Sequence, residues 1–184
     1  DWETYLDSFG FEPAKRERIA KATFQSPVWD ERDRGLYEED VYLKQFQELD
    51  PEDAEDIEKV IRGTGGTIHK RPYADTWVKY LKSKGYHVYI LSNYSSYMLD
   101  HTKKELTFRR EMDGEVFSCY AKQLKPDAEI YQIILNKYQL KPEECVFIDD
   151  RSENCRGAQE QGIHTICFKD FKQVTADLEK LGVK

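Results

Sequence analysis

Side chains that suit phosphate or metal chemistry follow apolar runs at three places in this 184-residue sequence. Ser92 and Asn93 end the first run, Lys125 stands in the segment AKQLKPD, and Asp149 and Asp150 end the third. Paired carboxylates suit a hard cation such as Mg²⁺, which prefers oxygen ligands. An ammonium and a hydroxyl can each hold a phosphate oxygen. These residue types predict phosphoryl transfer, in which catalysis rests on positioning and charge neutralisation.

Each of these elements also has a purely structural interpretation. Ser92 and Asn93 are common turn and cap residues, Lys125 could be a solvated loop residue, and Asp150 could cap the helix that follows. The combination favours a site, because all three elements fall at the ends of predicted strands.

The first part of the chain, from residue 1 to about 70, shows helical patterns only. Tyr42, Phe46 and Leu49 are spaced at i, i+4 and i+7, and Asp50-Pro51 has the character of a helix start. The glycine-rich stretch RGTGGTIHK then interrupts the pattern. We interpret it as a flexible connection between two lobes, since no strand precedes it as a phosphate-binding loop would require.

Strands and helices alternate after this connection. The runs YHVYIL, EVFSCYA, CVFID and HTICF predict four strands, with helices between them, one of which opens at Pro126. This order predicts an α/β fold with a doubly wound, Rossmann-like parallel sheet. In such a sheet ligands bind beyond the carboxyl ends of the strands. We therefore expect the hydroxyl, the ammonium and the two carboxylates to meet in one polar crevice.

Composition narrows the function classes. The net charge of −7 argues against sequence-independent binding to nucleic acid, which requires a basic surface. No apolar run approaches the roughly 20 residues that a membrane-spanning helix needs. The four cysteines form no CxxC pair, which favours reduced thiols in a cytoplasmic protein. The sequence carries no signal for the oligomeric state.

Three motifs give the chain a family resemblance. YILSN, LKPDAEIY and VFIDDRSENCRGAQEQGI resemble the second, third and fourth motifs of the haloacid dehalogenase superfamily of hydrolases. The chain is most similar to the phosphatases related to the N-terminal domain of soluble epoxide hydrolase and to sugar-phosphate phosphatases. The segment VWDERDRGLYEEDVYLKQF resembles the small helical cap of that group. The resemblance implies a cap lobe over residues 1–70 and an α/β core over residues 71–184.

The resemblance also implies roles for individual residues. Ser92 and Lys125 would contact the transferring phosphoryl group as catalytic residues, and Asn93 would shape its pocket. Mg²⁺ would be bound directly by Asp150, and Asp149 would bind or orient it. Asn154 would steady this loop and contribute to the phosphate-binding set. The substrate would be a small phosphorylated metabolite selected by the cap.

One family motif has no counterpart here. The first motif, which ends the central strand and supplies the nucleophilic Asp, does not occur in the 184 residues. Asp1 is not assigned this role, because the stretch it opens resembles the segment just after that motif. By the resemblance, the nucleophile is expected upstream of residue 1.

Other functions remain open on the sequence. A catalytically inactive relative could bind phosphate or a protein. A receiver-like module also uses paired Asp, Ser or Thr, and Lys, but it places the acidic pair first in the chain, whereas here Ser92 and Lys125 precede Asp149 and Asp150. Dehalogenation is disfavoured because it needs no metal, while the acidic pair is suited to one.

Overall fold

Eleven α-helices and four parallel strands form the part of the chain described by the computed structural model, residues 1–183. No helix within that part is long and apolar enough to cross a membrane. The helices are α1 (Trp2–Asp7), α2 (Pro13–Ala22), α3 (Pro27–Arg34), α4 (Glu39–Leu49), α5 (Ala54–Arg62), α6 (Ala74–Ser83), α7 (Ser96–His101), α8 (Ser118–Ala121), α9 (Ala128–Tyr138), α10 (Ser152–Glu160) and α11 (Phe171–Lys180). The strands are β1 (Tyr89–Ser92), β2 (Gly114–Phe117), β3 (Val146–Asp149) and β4 (His164–Cys167).

The strands pair in two parallel ladders. β1 pairs with β2 and places Ser92 opposite Phe117, while β3 pairs with β4 and places Asp149 opposite Cys167. Within residues 1–183, β1 and β3 each have a single strand partner. Helices cover both faces: α9 and α10 pack in one buried cluster with strand residues, and α11 packs with others in a second cluster. The expected α/β fold with parallel strands is confirmed.

The second strand is shorter than the sequence predicts. β2 ends at Phe117, and Ser118 begins α8 instead of continuing the extended run. The Ser118 hydroxyl is fully buried, donates to Asp33 O at 2.5 Å and accepts a hydrogen bond of 2.8 Å from the Tyr94 backbone N–H. These contacts with distant parts of the chain favour the helical turn over the strand propensity of the local sequence.

Helices that precede Gly63 share one hydrophobic cluster. Its fully buried members come from α1, α2, α4 and α5: Leu6, Ile19, Phe46, Ile57, Val60 and Ile61. Of the spacing predicted for α4, Tyr42 and Phe46 face inward, whereas the prediction for Leu49 is wrong: it lies at the last residue of the helix and is 53% exposed.

The glycine-rich connection has a defined conformation. Residues Thr64–Thr67 form a 3₁₀-helix that packs against α1 and α7. A methyl group on Gly63 would lie 2.3 Å from the Tyr5 hydroxyl, and one on Gly65 would lie 3.3 Å from His101 Cβ. The glycines expected to provide flexibility instead permit close packing.

Asp33, in the last turn of α3, connects this helix to the loop after β1. The residue is 9% exposed, and its carboxylate accepts a hydrogen bond from the Ser95 backbone N–H. Burial raises the pKa of Asp33 to about 7; Arg32 opposes this shift, and Asp30 adds to it. A neutral carboxylic acid therefore lies at this junction below neutral pH.

The Asp33→Asn variant should be more stable than the wild type at pH 8 and nearly equal to it at pH 4. The folded pKa of Asp33 lies above its unfolded value, so the wild type loses stability as the pH rises from about 4 to about 7, whereas the amide of the variant has no proton to lose. The gain should reach up to about 4 kcal/mol. Urea denaturation at both pH values measures it.

Glu31→Gln is the matched control, because Glu31 lies on the same helix, is exposed and pairs with Arg34 at the surface. An equal change at both pH values for Asp33→Asn would show that Asp33 is ionised in the folded protein.

Candidate active site

A nearly buried ion pair connects the ends of β1 and β3. Lys125 Nζ lies 2.5 Å from Asp149 Oδ2 and donates to Leu91 O at 3.1 Å. Both charged side chains are only 8% exposed. The ammonium is covered by protein and paired with a carboxylate, and the predicted contact of Lys125 with a phosphoryl group stays a prediction. Its charge is held at the carboxyl ends of two strands that share no ladder.

Asn93 fixes the backbone of Lys125. Its side-chain Nδ2 donates to Lys125 O at 3.0 Å, and its Oδ1 accepts from Lys125 N at 2.8 Å. This reciprocal pair joins the loop after β1 to the loop before α9. The following helix begins at Ala128 with Asp127 at the N-cap, two residues later than predicted, so that Pro126 lies in the turn.

Ser92 ends β1 beside this pair. Its hydroxyl makes a long hydrogen bond of 3.4 Å to Asn93 O, and the residue is partly exposed. Most of its capacity to donate and accept therefore remains for a ligand. Of the residues predicted to contact phosphate, Ser92 thus has the least committed side chain, because Asn93 and Lys125 are already bonded to each other or to Asp149.

Asp149 accepts hydrogen bonds from three donors. Besides Lys125, its Oδ1 accepts from Arg151 N at 2.9 Å and from Asn154 Nδ2 at 2.9 Å. These bonds hold the loop between β3 and α10 in a tight turn. A carboxylate with three donors has little capacity left for another ligand.

Asn154 is in turn held by a hydrogen bond from α9. It is 2% exposed, and Tyr131 Oη donates to its backbone carbonyl oxygen at 2.7 Å. Burial raises the pKa of Tyr131, so its hydroxyl stays protonated and remains a donor. Sequence reasoning placed Tyr131 in a quoted motif but assigned it no role, because nothing in a helix stripe distinguishes a bonded Tyr from an apolar core residue.

Gly157 is a second residue that the sequence analysis missed. It lies inside α10, where a methyl group would be 2.4 Å from Pro126 O and 3.1 Å from a ring carbon of Tyr131. Only a glycine lets α10 approach the Lys125–Pro126 turn this closely. An isolated glycine within a helical pattern is the signal that could have found it.

Asp150 differs from Asp149 in its surroundings. It is exposed at the end of β3, so its carboxylate is accessible from solvent. Nearby, Asn154 Oδ1 is buried and has no hydrogen-bond partner among residues 1–183. Within the same residues, no group of three or more acidic, His or Cys side chains forms a complete metal site. The available oxygens still fit Mg²⁺, which commonly uses one or two carboxylates and keeps several waters.

A comparison with protein families decides the classification. The family model of the haloacid dehalogenase-like hydrolases matches residues 6–162. The chain belongs to this family of enzymes. The family resemblance drawn from the three sequence motifs is confirmed.

Two of the similar proteins are named as hydrolases. Flavin mononucleotide hydrolase 1 of Arabidopsis thaliana is 26% identical over 156 residues, which cover 85% of this chain and 62% of that protein. A bifunctional epoxide hydrolase 2 of Rattus norvegicus is 30% identical over 107 residues, which cover 55% of this chain and 19% of that protein. The chain therefore spans less than two thirds of either relative.

Solved structures support the fold. A haloacid dehalogenase family enzyme of Bacteroides thetaiotaomicron, in complex with magnesium and inorganic phosphate, superposes with a TM-score of 0.67 at 22% identity. The match covers 86% of this chain and 88% of that one. At this identity the likeness establishes the fold, in agreement with the predicted Rossmann-like core.

Lys125→Met should lower the free energy of unfolding by about 3–5 kcal/mol, since it leaves the buried Asp149 carboxylate without its counter-ion. Adding Asp149→Asn should restore much of that loss, because the remaining group is neutral. Urea denaturation of both single variants and the double variant gives the coupling energy.

Lys141→Met serves as the control, since Lys141 pairs with Glu144 at the surface, where both side chains are more than half exposed. That change should leave the free energy of unfolding almost unchanged. Additive losses from Lys125→Met and Asp149→Asn would contradict the buried pair.

Proposed function

We propose that this protein is a Mg²⁺-dependent phosphatase acting on small phosphorylated metabolites, such as sugar phosphates, through an aspartyl-phosphate intermediate. The nucleophilic Asp would lie on a strand upstream of residue 1. Two relatives named for the hydrolysis of phosphate compounds support the substrate class: flavin mononucleotide hydrolase 1 and the sesquiterpene phosphatase astK of Aspergillus oryzae.

The observation that carries this proposal is the position of the Lys125 ammonium. It lies between Leu91 O and Asp149 Oδ2, with Ser92 next along β1. A fixed positive charge beside a little-committed hydroxyl suits an anionic ester. Because both groups are preorganised by hydrogen bonds, they need little reorganisation when charge develops in the transition state.

The division between the two carboxylates supports the metal assignment. Asp149 holds Lys125 and the turn, and Asp150 is left accessible for Mg²⁺ together with water and substrate oxygens. When bound, the cation would neutralise charge on the phosphoryl oxygens. Asn154 would keep the turn in place and offers its unpartnered Oδ1 to a nearby donor.

The nucleophile is the part that these 184 residues do not supply. Asp1 caps α1, where it accepts hydrogen bonds from Thr4 N and Thr4 Oγ1, so its carboxylate serves a helix start. The Asp149 carboxylate is bonded to Lys125 and to two donors of its own turn. A strand bearing the family's first motif would fit beside β1 or β3, each of which has one partner among residues 1–183.

Two alternatives are tested by the same experiments. Residues 1–184 alone would act as a phosphate-binding relative without turnover, since binding groups are present and a nucleophile is not. Dehalogenation has support from a (S)-2-haloacid dehalogenase of Burkholderia cepacia, 33% identical over 95 residues. The accessible Asp150 beside Asp149 favours the phosphatase, because dehalogenation needs no metal.

A protein extended at its N-terminus by a strand ending in the family's first motif should hydrolyse an aryl phosphate with Mg²⁺, and residues 1–184 alone should show almost no turnover. Lys125→Ala in the extended protein should lower the rate about a hundredfold, since one lost charge contact costs on the order of 3 kcal/mol in the barrier. Circular dichroism confirms that each variant is folded at the assay temperature.

Lys141→Ala in the extended protein controls for loss of an exposed positive charge and should retain full activity. Equal rates for the short and extended proteins would place the nucleophile within residues 1–184 and refute this part of the proposal. Release of chloride from 2-chloropropionate without phosphate hydrolysis would favour the dehalogenase.

Mg²⁺ affinity should depend on Asp150 more than on Asp149. Asp150→Asn removes the accessible carboxylate, whereas Asp149→Asn chiefly removes the partner of Lys125. Calorimetric titration with MgCl₂ should show at least a tenfold weaker affinity for Asp150→Asn than for the wild type. Equal and negligible losses in both variants would exclude a metal site at this pair.

A further inference from the structure

Two of the four free cysteines lie together beneath the Asp149–Asp150 turn. Cys155, in α10, has its Sγ 3.5 Å from Asp149 O and 3.8 Å from Ile166 O. Cys167, the last residue of β4, has its Sγ 3.9 Å from Asp150 O. Asp149 and Cys167 are register partners in the β3–β4 ladder, so both thiols lie against the same short stretch of backbone. No CxxC spacing links the four cysteines, which were expected to be reduced thiols, so this pair was not predicted.

Strand geometry explains why the thiols meet. Ile166 packs against Val174 and Leu178 of α11, so its neighbour Cys167 points to the opposite face of the sheet. That face is covered by α10, whose Ala158 packs in the cluster of the α9 residues. Cys155 lies one helical turn before Ala158 and therefore faces the same way.

The two thiols differ in access. Cys167 is exposed, and Cys155 is 7% exposed. An oxidant in solution can therefore reach Cys167, whereas Cys155 is shielded from solvent by the protein. The other cysteines lie elsewhere: Cys119 is in a separate buried cluster, and Cys145 precedes β3 with its Sγ 3.2 Å from Lys141 O.

We propose that Cys155 and Cys167 are a modification site, at which peroxide forms a reversible disulfide that fastens α10 to β4 under the Asp149–Asp150 turn. The Cys167 thiolate attacks hydrogen peroxide, so that an S–O bond forms, the O–O bond breaks and hydroxide leaves. The Cys155 sulfur then attacks the Cys167 sulfenic acid. The S–S bond forms, the S–O bond breaks, and the leaving hydroxide takes the Cys155 proton as water.

The bond would act on the turn that carries the acidic pair. Arg151 O accepts hydrogen bonds from the backbone N–H groups of Asn154 and Cys155, so the first turn of α10 is continuous with this loop. A covalent link from Cys155 to β4 restricts both. Any effect on turnover rests on the proposed phosphatase function, whereas the disulfide and its effect on loop motion do not.

The test treats the full chain with hydrogen peroxide and maps its thiols by mass spectrometry. Trypsin cleaves after Arg151, Arg156 and Lys169, which separates Cys155 and Cys167 into the adjacent peptides 152–156 and 157–169. The expected product is these two peptides joined, lighter by two hydrogen atoms than the reduced pair and separated again by dithiothreitol. Amide hydrogen exchange over residues 149–155 should slow several-fold in the oxidised protein and recover on reduction.

Cys167→Ser and Cys155→Ser should each abolish the joined peptides and the change in exchange. Cys145→Ser is the matched control and should retain both. Oxidation of Cys167 to sulfinic acid, or dimers joined through Cys167, in place of the internal link would overturn the proposal. A joined pair with unchanged exchange over residues 149–155 would overturn its effect on the turn.

Discussion

The site depends on the ion pair between Lys125 and Asp149. Two charges that are each only 8% exposed are stable in the folded protein only as partners, and further hydrogen bonds must satisfy the atoms that the pair leaves free. Leu91 O accepts a further hydrogen bond from Lys125, and the Arg151 N–H in the turn after β3 donates one to Asp149. The pair therefore fixes the relative positions of the ends of β1 and β3.

This constraint gives the two adjacent aspartates different roles. Asp149 is held by an ammonium, an amide and a backbone N–H, and its charge is compensated within the protein. Asp150, one residue further, leaves the strand and is exposed. Two further residues support this arrangement. Tyr131 donates a hydrogen bond to the Asn154 backbone, and Gly157 lets α10 pack closely against Pro126. Much of the site is therefore defined by residues that would never contact a substrate.

The end of α3 is bonded to the loop that follows β1. Ser118 bonds both Asp33 O and Tyr94 N, and the Asp33 carboxylate bonds Ser95 N. Tyr94 and Ser95 directly follow the Ser92-Asn93 pair. The end of α3 and the loop that presents Ser92 are therefore positioned by one buried hydrogen-bond network, which makes their geometry interdependent.

The sequence by itself determined the order of elements and the residues at the strand ends. Apolar runs, helix spacing and the motifs around Ser92, Lys125 and Asp149 are local patterns, and they predicted the α/β fold and the family correctly. The tertiary structure alone decided how those residues are used. Contacts with other parts of the fold, many of them distant in sequence, produce five features: the burial of Lys125, the three donors on Asp149, the helical turn at Ser118, the close approach at Gly157 and the placement of Cys155 near Cys167. Local propensity carries no information about such contacts, because their energies depend on which surfaces the folded chain brings together.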